Sequence, residues 1–90
     1  MAWKIEFSAE AARALDKLDA QITRRILIFL YQRVRKLDNP RSIGEALHGP
    51  KLSEFWKYRV GDYRLICTIE DKKLLILVLR IGHRKQFNDR

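Results

Sequence analysis

Four cations draw attention first: Lys57 and Arg59 within Phe55-Trp56-Lys57-Tyr58-Arg59-Val60, Arg64 just past Gly61-Asp62, and Arg84 just past Gly82. On a strand, alternate residues share a face. Trp56, Tyr58 and Val60 therefore take one side, and Lys57 and Arg59 the other. The apolar trio belongs on a core, so the two cations stand side by side on the open face. Arg64 enters on the neighbouring strand, close enough to join them. Like charges this near repel, and a bound anion relieves the cost. An anion-binding cleft is one reading of the segment. A solvated edge strand, on which Lys and Arg discourage aggregation, is the other.

The C-terminal stretch Arg80-Ile81-Gly82-His83-Arg84-Lys85 favours the cleft. It leaves a strand at a glycine and delivers His83, Arg84 and Lys85 to a strand end, where loops on a rigid scaffold carry function. Phe87 follows. It offers a ring for an unpaired base to stack on, or an apolar residue to tuck against the body. Histidine titrates near neutrality, so His83 is a natural acid or base. His48 lies far away in sequence, and two such histidines make a weak case for a metal site.

Nineteen Lys and Arg against eleven Asp and Glu give the chain a net charge of +8. That excess favours polyanionic partners: nucleic acid, an acidic protein or an anionic membrane surface. The length of 90 residues sets one domain with one core, and an apolar fraction of 47% is enough to fill it. Cys67 is the single cysteine, so no intramolecular disulfide can form, and a reducing, cytoplasmic setting is expected. The start, Met-Ala-Trp-Lys-Ile-Glu-Phe, has no apolar signal core. The apolar run at residues 74–79 is too short to cross a bilayer, so no membrane is expected as a partner.

The elements that must position the cations are legible in outline. Residues 3–7 alternate as a strand. Ser8 and Asp19 are N-cap candidates for two helices spanning residues 8–37, with Glu10 in the first turn where the helix dipole favours an anion. Ile22, Ile26, Phe29, Leu30, Val34 and Leu37 form an apolar stripe on the second helix. Leu27, Ile28 and Tyr31 widen it and could meet a partner or cover a sheet edge. Asn39-Pro40 ends the helix. Residues 40–51 read as a loop, followed by strands at 52–60, 63–69 and 74–81. The last is apolar on both faces and should lie centrally. The sum is an α+β fold of order β-α-α-β-β-β, a helical hairpin packed on an antiparallel sheet.

Tyr58-Arg59-Val60-Gly61-Asp62-Tyr63-Arg64-Leu65-Ile66, followed by Ile81-Gly82-His83-Arg84-Lys85, resembles the RelE/ParE superfamily of bacterial toxins, and Leu47-His48-Gly49 also fits. The likeness covers the whole chain in length and element order. It implies a RelE-like, microbial-ribonuclease-type fold. It also implies a toxin that cuts messenger RNA in the ribosomal decoding site, with the RNA's own 2′-hydroxyl as nucleophile and no metal or other cofactor. Lys57 and Arg59 match the two basic strand residues of that branch, and Arg64 and Arg84 match its two arginines. Lys51, Lys85 and Phe87 are the expected further RNA contacts. The implied partners are the ribosome, an acidic RelB-like antitoxin, and operator DNA reached through the antitoxin.

Two departures stand out. The second strand cation, commonly Lys, is Arg59 here, and Arg stays protonated, so it cannot accept a proton. The tail Gln86-Phe87-Asn88-Asp89-Arg90 lacks the tyrosine that RelE-type chains usually carry. Cleavage needs a proton taken from the 2′-oxygen, charge stabilised on the phosphorane, and a proton given to the 5′-oxygen. Arg64 and Arg84 suit the phosphate oxygens. Lys57 could act as base or only stabilise charge, and His83 could act as acid or base. Two competing readings are a ParE-like inhibitor of DNA gyrase with no nuclease activity, and a basic binding module with no toxicity.

Overall fold

Trp3, Ile5 and Phe7 alternate with Lys4 and Glu6. In the computed structural model, which describes residues 2–49, 52 and 54–87, this segment forms β1 (Lys4–Phe7) with the Trp3 side chain buried beside it. Ser8 then caps α1 (Ala9–Lys17): its hydroxyl oxygen accepts the Ala11 N–H at 3.0 Å and donates to the Leu79 carbonyl at 2.7 Å. Asp19 caps α2 (Ala20–Ile28), accepting the Gln21 N–H at 3.1 Å. Both caps fall where the sequence placed them. The second helix runs on as one π turn, Phe29–Arg33, and a 3-10 turn, Val34–Lys36. The wider π turn suits Ile26, Leu30 and Val34, spaced four apart and all fully buried.

Asn39 opens a 3-10 turn, Pro40–Ser42, its side chain accepting the Arg41 N–H at 2.9 Å. The segment expected to be plain loop then contributes a two-residue strand, β2 (Glu45–Ala46). The meander follows as β3 (Phe55–Val60), β4 (Tyr63–Glu70) and β5 (Leu75–His83), with β3 starting three residues later than its sequence pattern suggested. A last 3-10 turn, Arg84–Phe87, closes the described chain.

The strands form one sheet in the order β1-β5-β4-β3-β2. The expectation of a wholly antiparallel sheet is corrected at one edge, where β1 pairs parallel with β5. The helical hairpin between β1 and the meander acts as the crossover that a parallel pair requires. β5 is interior, flanked by β1 and β4, as a strand apolar on both faces must be; the middle position belongs to β4.

Both helices cover one face of the sheet. Ile26, Leu30 and Val34 meet Tyr58, Leu65, Ile76 and Val78 in the core. A β-bulge sets which side chains of β5 reach it. Ile66 pairs with Arg80 but the next residue, Cys67, pairs with Val78, so Leu79 is the extra residue. Val78 and Ile81 both face the core although they are three apart, and Arg80 is turned to the open face. Bulges re-aim side chains in this way beside functional sites.

Cys67 is fully buried, and burial pushes its thiol from 9.0 up to about 12. The sign follows from the raised folded value. Its contribution to stability is complete below about pH 9 and is lost as pH rises toward about 12. In the native state at pH 8, a disulfide reagent should therefore label Cys67 only at the rate of global unfolding. Labelling as fast as in the denatured chain would contradict the burial.

Candidate nucleic-acid interface

Strand register arranges the open face in two rows. Glu45, Lys57, Ile66 and Arg80 stand opposite one another across β2, β3, β4 and β5. Arg59, Arg64 and Gly82 form the next row toward the β3–β4 turn. Neighbours along a row sit about 5 Å apart, and the rows about 7 Å apart. The alternation reading is upheld: Tyr58 is fully buried on the helix face, while Lys57 and Arg59 share the other. A groove of about 540 Å³ runs along the first row. Its floor is apolar, with Leu47, Leu52, Phe55, Ile66, Leu79 and Phe87; Lys57 and Arg80 supply the charge.

Lys57 lies deep in this groove, its side chain only 12% exposed, with Nζ 3.2 Å from Glu45 Oε1. Arg80 was not anticipated as part of the site. Its Nε is 3.0 Å from Glu10 Oε2, and its guanidinium lies over the Phe87 ring at 5.0 Å. Strict alternation from Val78 would have buried Arg80; the bulge is what exposes it. Glu45 was also missed, because a two-residue strand carries no periodicity.

The C-terminal turn folds back over this face. A Cβ on Gly82 would meet the Gln86 amide oxygen, and the Phe87 ring at 2.9 Å, so glycine is what lets the turn pack there. Gln86 Oε1 accepts the His83 N–H at 2.7 Å. Phe87 thus tucks against Gly82 and Arg80 within the groove.

Arg64, matched to a phosphate-binding arginine from the sequence, is held inside the fold. It is 2% exposed, and its Nη1 donates to the carbonyls of Gly61 and Tyr63, both at 3.0 Å. In this conformation it braces the β3–β4 turn. Arg84 is at the same end of the sheet. Its backbone N–H donates to the Asp62 carbonyl at 2.7 Å, and its half-exposed side chain places Nε 3.8 Å from Asp62 Oδ1.

His83 is not brought together with Lys57. Two residues beyond Ile81, it faces the helix side, where its ring meets Tyr63 edge to face at 5.5 Å. Its Nδ1 accepts the Lys85 N–H at 3.2 Å. That parity sets the His83 ring apart from Lys57, on the other face of the sheet. Lys85 is exposed on the last turn, His48 is exposed and apart, and Lys51 lies outside the described residues. Among the described residues, no group of three or more His, Cys, Asp or Glu side chains could hold a metal, and no helix is long and apolar enough to cross a membrane.

The repulsion expected among the cations is relieved within the fold. Lys57, Arg80 and Arg84 face Glu45, Glu10 and Asp62 respectively. The Arg80 and Arg84 pairs are exposed on both sides and worth about 0–1 kcal/mol each, so an incoming phosphate can displace them at little cost. The loop before β2 is held more firmly. The Tyr58 hydroxyl donates to the Pro40 carbonyl at 2.6 Å and the Trp56 indole N–H to the Ile43 carbonyl at 2.8 Å. Burial raises the Tyr58 pKa, keeping the hydroxyl a donor. Arg41 forks onto both oxygens of Asp71 at 3.0 Å, and that hydrogen bonding lowers the Asp71 pKa below the ordinary carboxylate value.

A two-helix hairpin on a five-stranded, mostly antiparallel sheet with one cationic face defines a RelE-like toxin fold. The family model for the ParE toxin of type II toxin–antitoxin systems matches residues 5–87, and the chain belongs to that family. Toxin RelG of Mycobacterium tuberculosis is 29% identical over 84 residues, covering 93% of each chain. A putative RelE-like toxin of Escherichia coli is 28% identical over 86 residues, covering 96% of this chain and 87% of its own. Among solved structures, the RelBE2 toxin–antitoxin complex of M. tuberculosis aligns at 27% identity with a TM-score of 0.83, covering 93% of both chains. The RelE–RelB complex of Pyrococcus horikoshii aligns at 25% and 0.73, covering 93% of this chain and 97% of its own.

Proposed function

We propose that this toxin is an endoribonuclease that inhibits translation by cutting messenger RNA in the ribosomal decoding site, using the RNA's 2′-hydroxyl and no metal ion. The observation that carries the reading is the cationic groove: Lys57 and Arg80 over an apolar floor, with Arg59 one row away. Such a floor accepts a base while the cations take the phosphate, the combination that single-stranded RNA demands. Lys57 and Arg59 stabilise charge on the phosphorane. Arg84 takes a phosphate oxygen after leaving Asp62, and Arg64 holds the turn from which these groups are presented. Lys85 and Phe87 extend the RNA contact, Lys85 from the rim and Phe87 by stacking once released from Arg80; Lys51 is assigned an RNA contact from the sequence alone. RelE-type relatives and neighbours support this branch. The cytoplasm, where ribosomes are, is the site of action.

The proposed partners besides the ribosome are an acidic RelB-like antitoxin and, through it, operator DNA. The M. tuberculosis and P. horikoshii structures are RelB–RelE toxin–antitoxin complexes, which supports an antitoxin partner. A +8 chain suits an acidic partner, and α2 leaves Ile28 52% exposed, with Tyr31 37% exposed on the π turn that follows, as apolar docking points.

One observation favours a second reading, inhibition of DNA gyrase: the matching family model is that of the ParE toxin. Brief expression separates the two. Early translation arrest with new message 5′ ends inside codons supports cleavage. DNA breaks with intact message would replace it with the gyrase reading. Arg84→Ala should lower cleavage about 100-fold, the usual cost of removing one charge-stabilising donor. Its half-exposed side chain predicts little change in melting temperature. Undiminished cleavage in this variant would remove Arg84 from the site.

A further inference from the structure

We infer that His83 is a positioning residue that sets Arg84 in place, through a reciprocal cap it forms with Gln86; the inference rests on the ribonuclease reading, in which Arg84 takes a phosphate oxygen. His83 is the last residue of β5 and stands at the N-cap of the 3-10 turn Arg84–Phe87. Its Nδ1 accepts the Lys85 N–H at 3.2 Å, and its own N–H donates to Gln86 Oε1 at 2.7 Å. The first bond joins the cap side chain to the backbone two residues on. The second brings the side chain of the third turn residue back to the cap. Together they are the two halves of a capping box, with histidine in the place that Ser, Thr, Asp or Asn usually takes.

Arg84 is the residue these bonds enclose. It is the first residue of the turn, and its N–H donates to the Asp62 carbonyl at 2.7 Å. The carbonyls on either side of Asp62, those of Gly61 and Tyr63, take Nη1 of the buried Arg64. The Arg84 backbone is therefore fixed on one side by the β3–β4 turn and on the other by the cap, while its side chain is left to swing from Asp62 to a phosphate. Gly82 allows the cap to close, since a Cβ there would meet the Gln86 amide oxygen. A guanidinium reaches its target only as well as its backbone is placed, and an error of about 1 Å can cost about 100-fold in rate.

The same geometry argues against His83 as the group that moves a proton. A backbone N–H can only donate, so Nδ1 is the ring nitrogen without a hydrogen, and its lone pair is engaged by Lys85. The ring meets Tyr63 edge to face at 5.5 Å, on the side of the sheet away from Lys57. What the turn asks of this position is one acceptor atom where Nδ1 lies. The side-chain oxygen of asparagine reaches the same place, as it does in turns where it accepts the N–H two residues on.

The test is single-turnover cleavage on ribosomes programmed with a short message, at saturating toxin and pH 8, with melting temperatures to confirm that each variant is folded. His83→Ala should slow cleavage by about 10- to 100-fold, bounded by the loss in Arg84→Ala. His83→Asn should stay within about threefold of the unaltered chain. In an Arg84→Ala background, His83→Ala should cost less than about threefold more, because the residue it positions is gone. Amide hydrogen exchange, which needs no substrate, should be slower at the Lys85 N–H in the unaltered chain and in His83→Asn than in His83→Ala. A His83→Asn as slow as His83→Ala would overturn the inference and return the imidazole to the chemistry. So would a wild-type rate in His83→Ala, or full additivity with Arg84→Ala. If the unaltered chain leaves the message whole, the ribonuclease reading fails, and with it the role of Arg84; equal Lys85 exchange in all three chains would instead overturn the cap.

Discussion

Lys57→Met should lower cleavage of ribosome-bound message on the order of 1000-fold while barely shifting the melting temperature. The magnitude is that of losing a preorganised charge where the transition state becomes more negative. Methionine keeps the unbranched stem that packs in the groove beside Phe55 and Leu52, so the apolar contacts survive the loss of the ammonium. Glu45, left without its partner, is half exposed and can be hydrated. Lys57→Arg keeps the charge but not the compact ammonium, and should retain more activity than Lys57→Met. Rates from single-turnover assays, paired with calorimetry, decide the matter. Cleavage within about threefold of wild type in Lys57→Met would place the chemistry elsewhere, since even one ordinary hydrogen bond to a charged group is worth more.

Tyr58→Ala should produce the largest loss of stability among single changes near the site, about 3–5 kcal/mol. Tyr58 is fully buried, meets Phe29 edge to face at 5.7 Å, and donates its hydroxyl to Pro40 at 2.6 Å. A domain of this size has only about 5–15 kcal/mol in total, so the variant should be partly unfolded at 37 °C. Tyr58→Phe isolates the hydroxyl. It leaves the Pro40 carbonyl without this donor, at a cost of about 1–3 kcal/mol. Because that bond holds the loop that brings Glu45 beside Lys57, Tyr58→Phe should also slow cleavage under conditions where it is fully folded. Urea denaturation gives the stability, and the same cleavage assay gives the rate. A Tyr58→Phe variant as stable as wild type would mean the Pro40 contact contributes nothing.

These two residues also show what could be read from sequence. A six-residue alternation was enough to put Tyr58 in the core and Lys57 and Arg59 on the open face, because a strand with one buried face has no other register. Ser8 and Asp19 announced their helices because capping is local chemistry. What escaped was decided by partners distant in the chain. Glu45 joins the site only because β2 pairs with β3. Arg80 faces the groove only because Leu79 is bulged, and the same parity carries His83 to the helix side. Arg64 looked like a clamp, but the turn carbonyls claim its Nη1. The cation cluster looked unrelieved because its carboxylates come from Glu10, Glu45 and Asp62, one of them 70 residues from its partner.

The ribonuclease reading is tested most directly by incubating the purified chain with ribosomes that hold a defined message and an empty decoding site, then mapping the message ends. A single cut within the decoding-site codon, leaving a 2′,3′-cyclic phosphate and absent from Lys57→Met, is the expected result. Intact message on those ribosomes, together with gyrase-dependent DNA breaks caused by the same preparation, would contradict it.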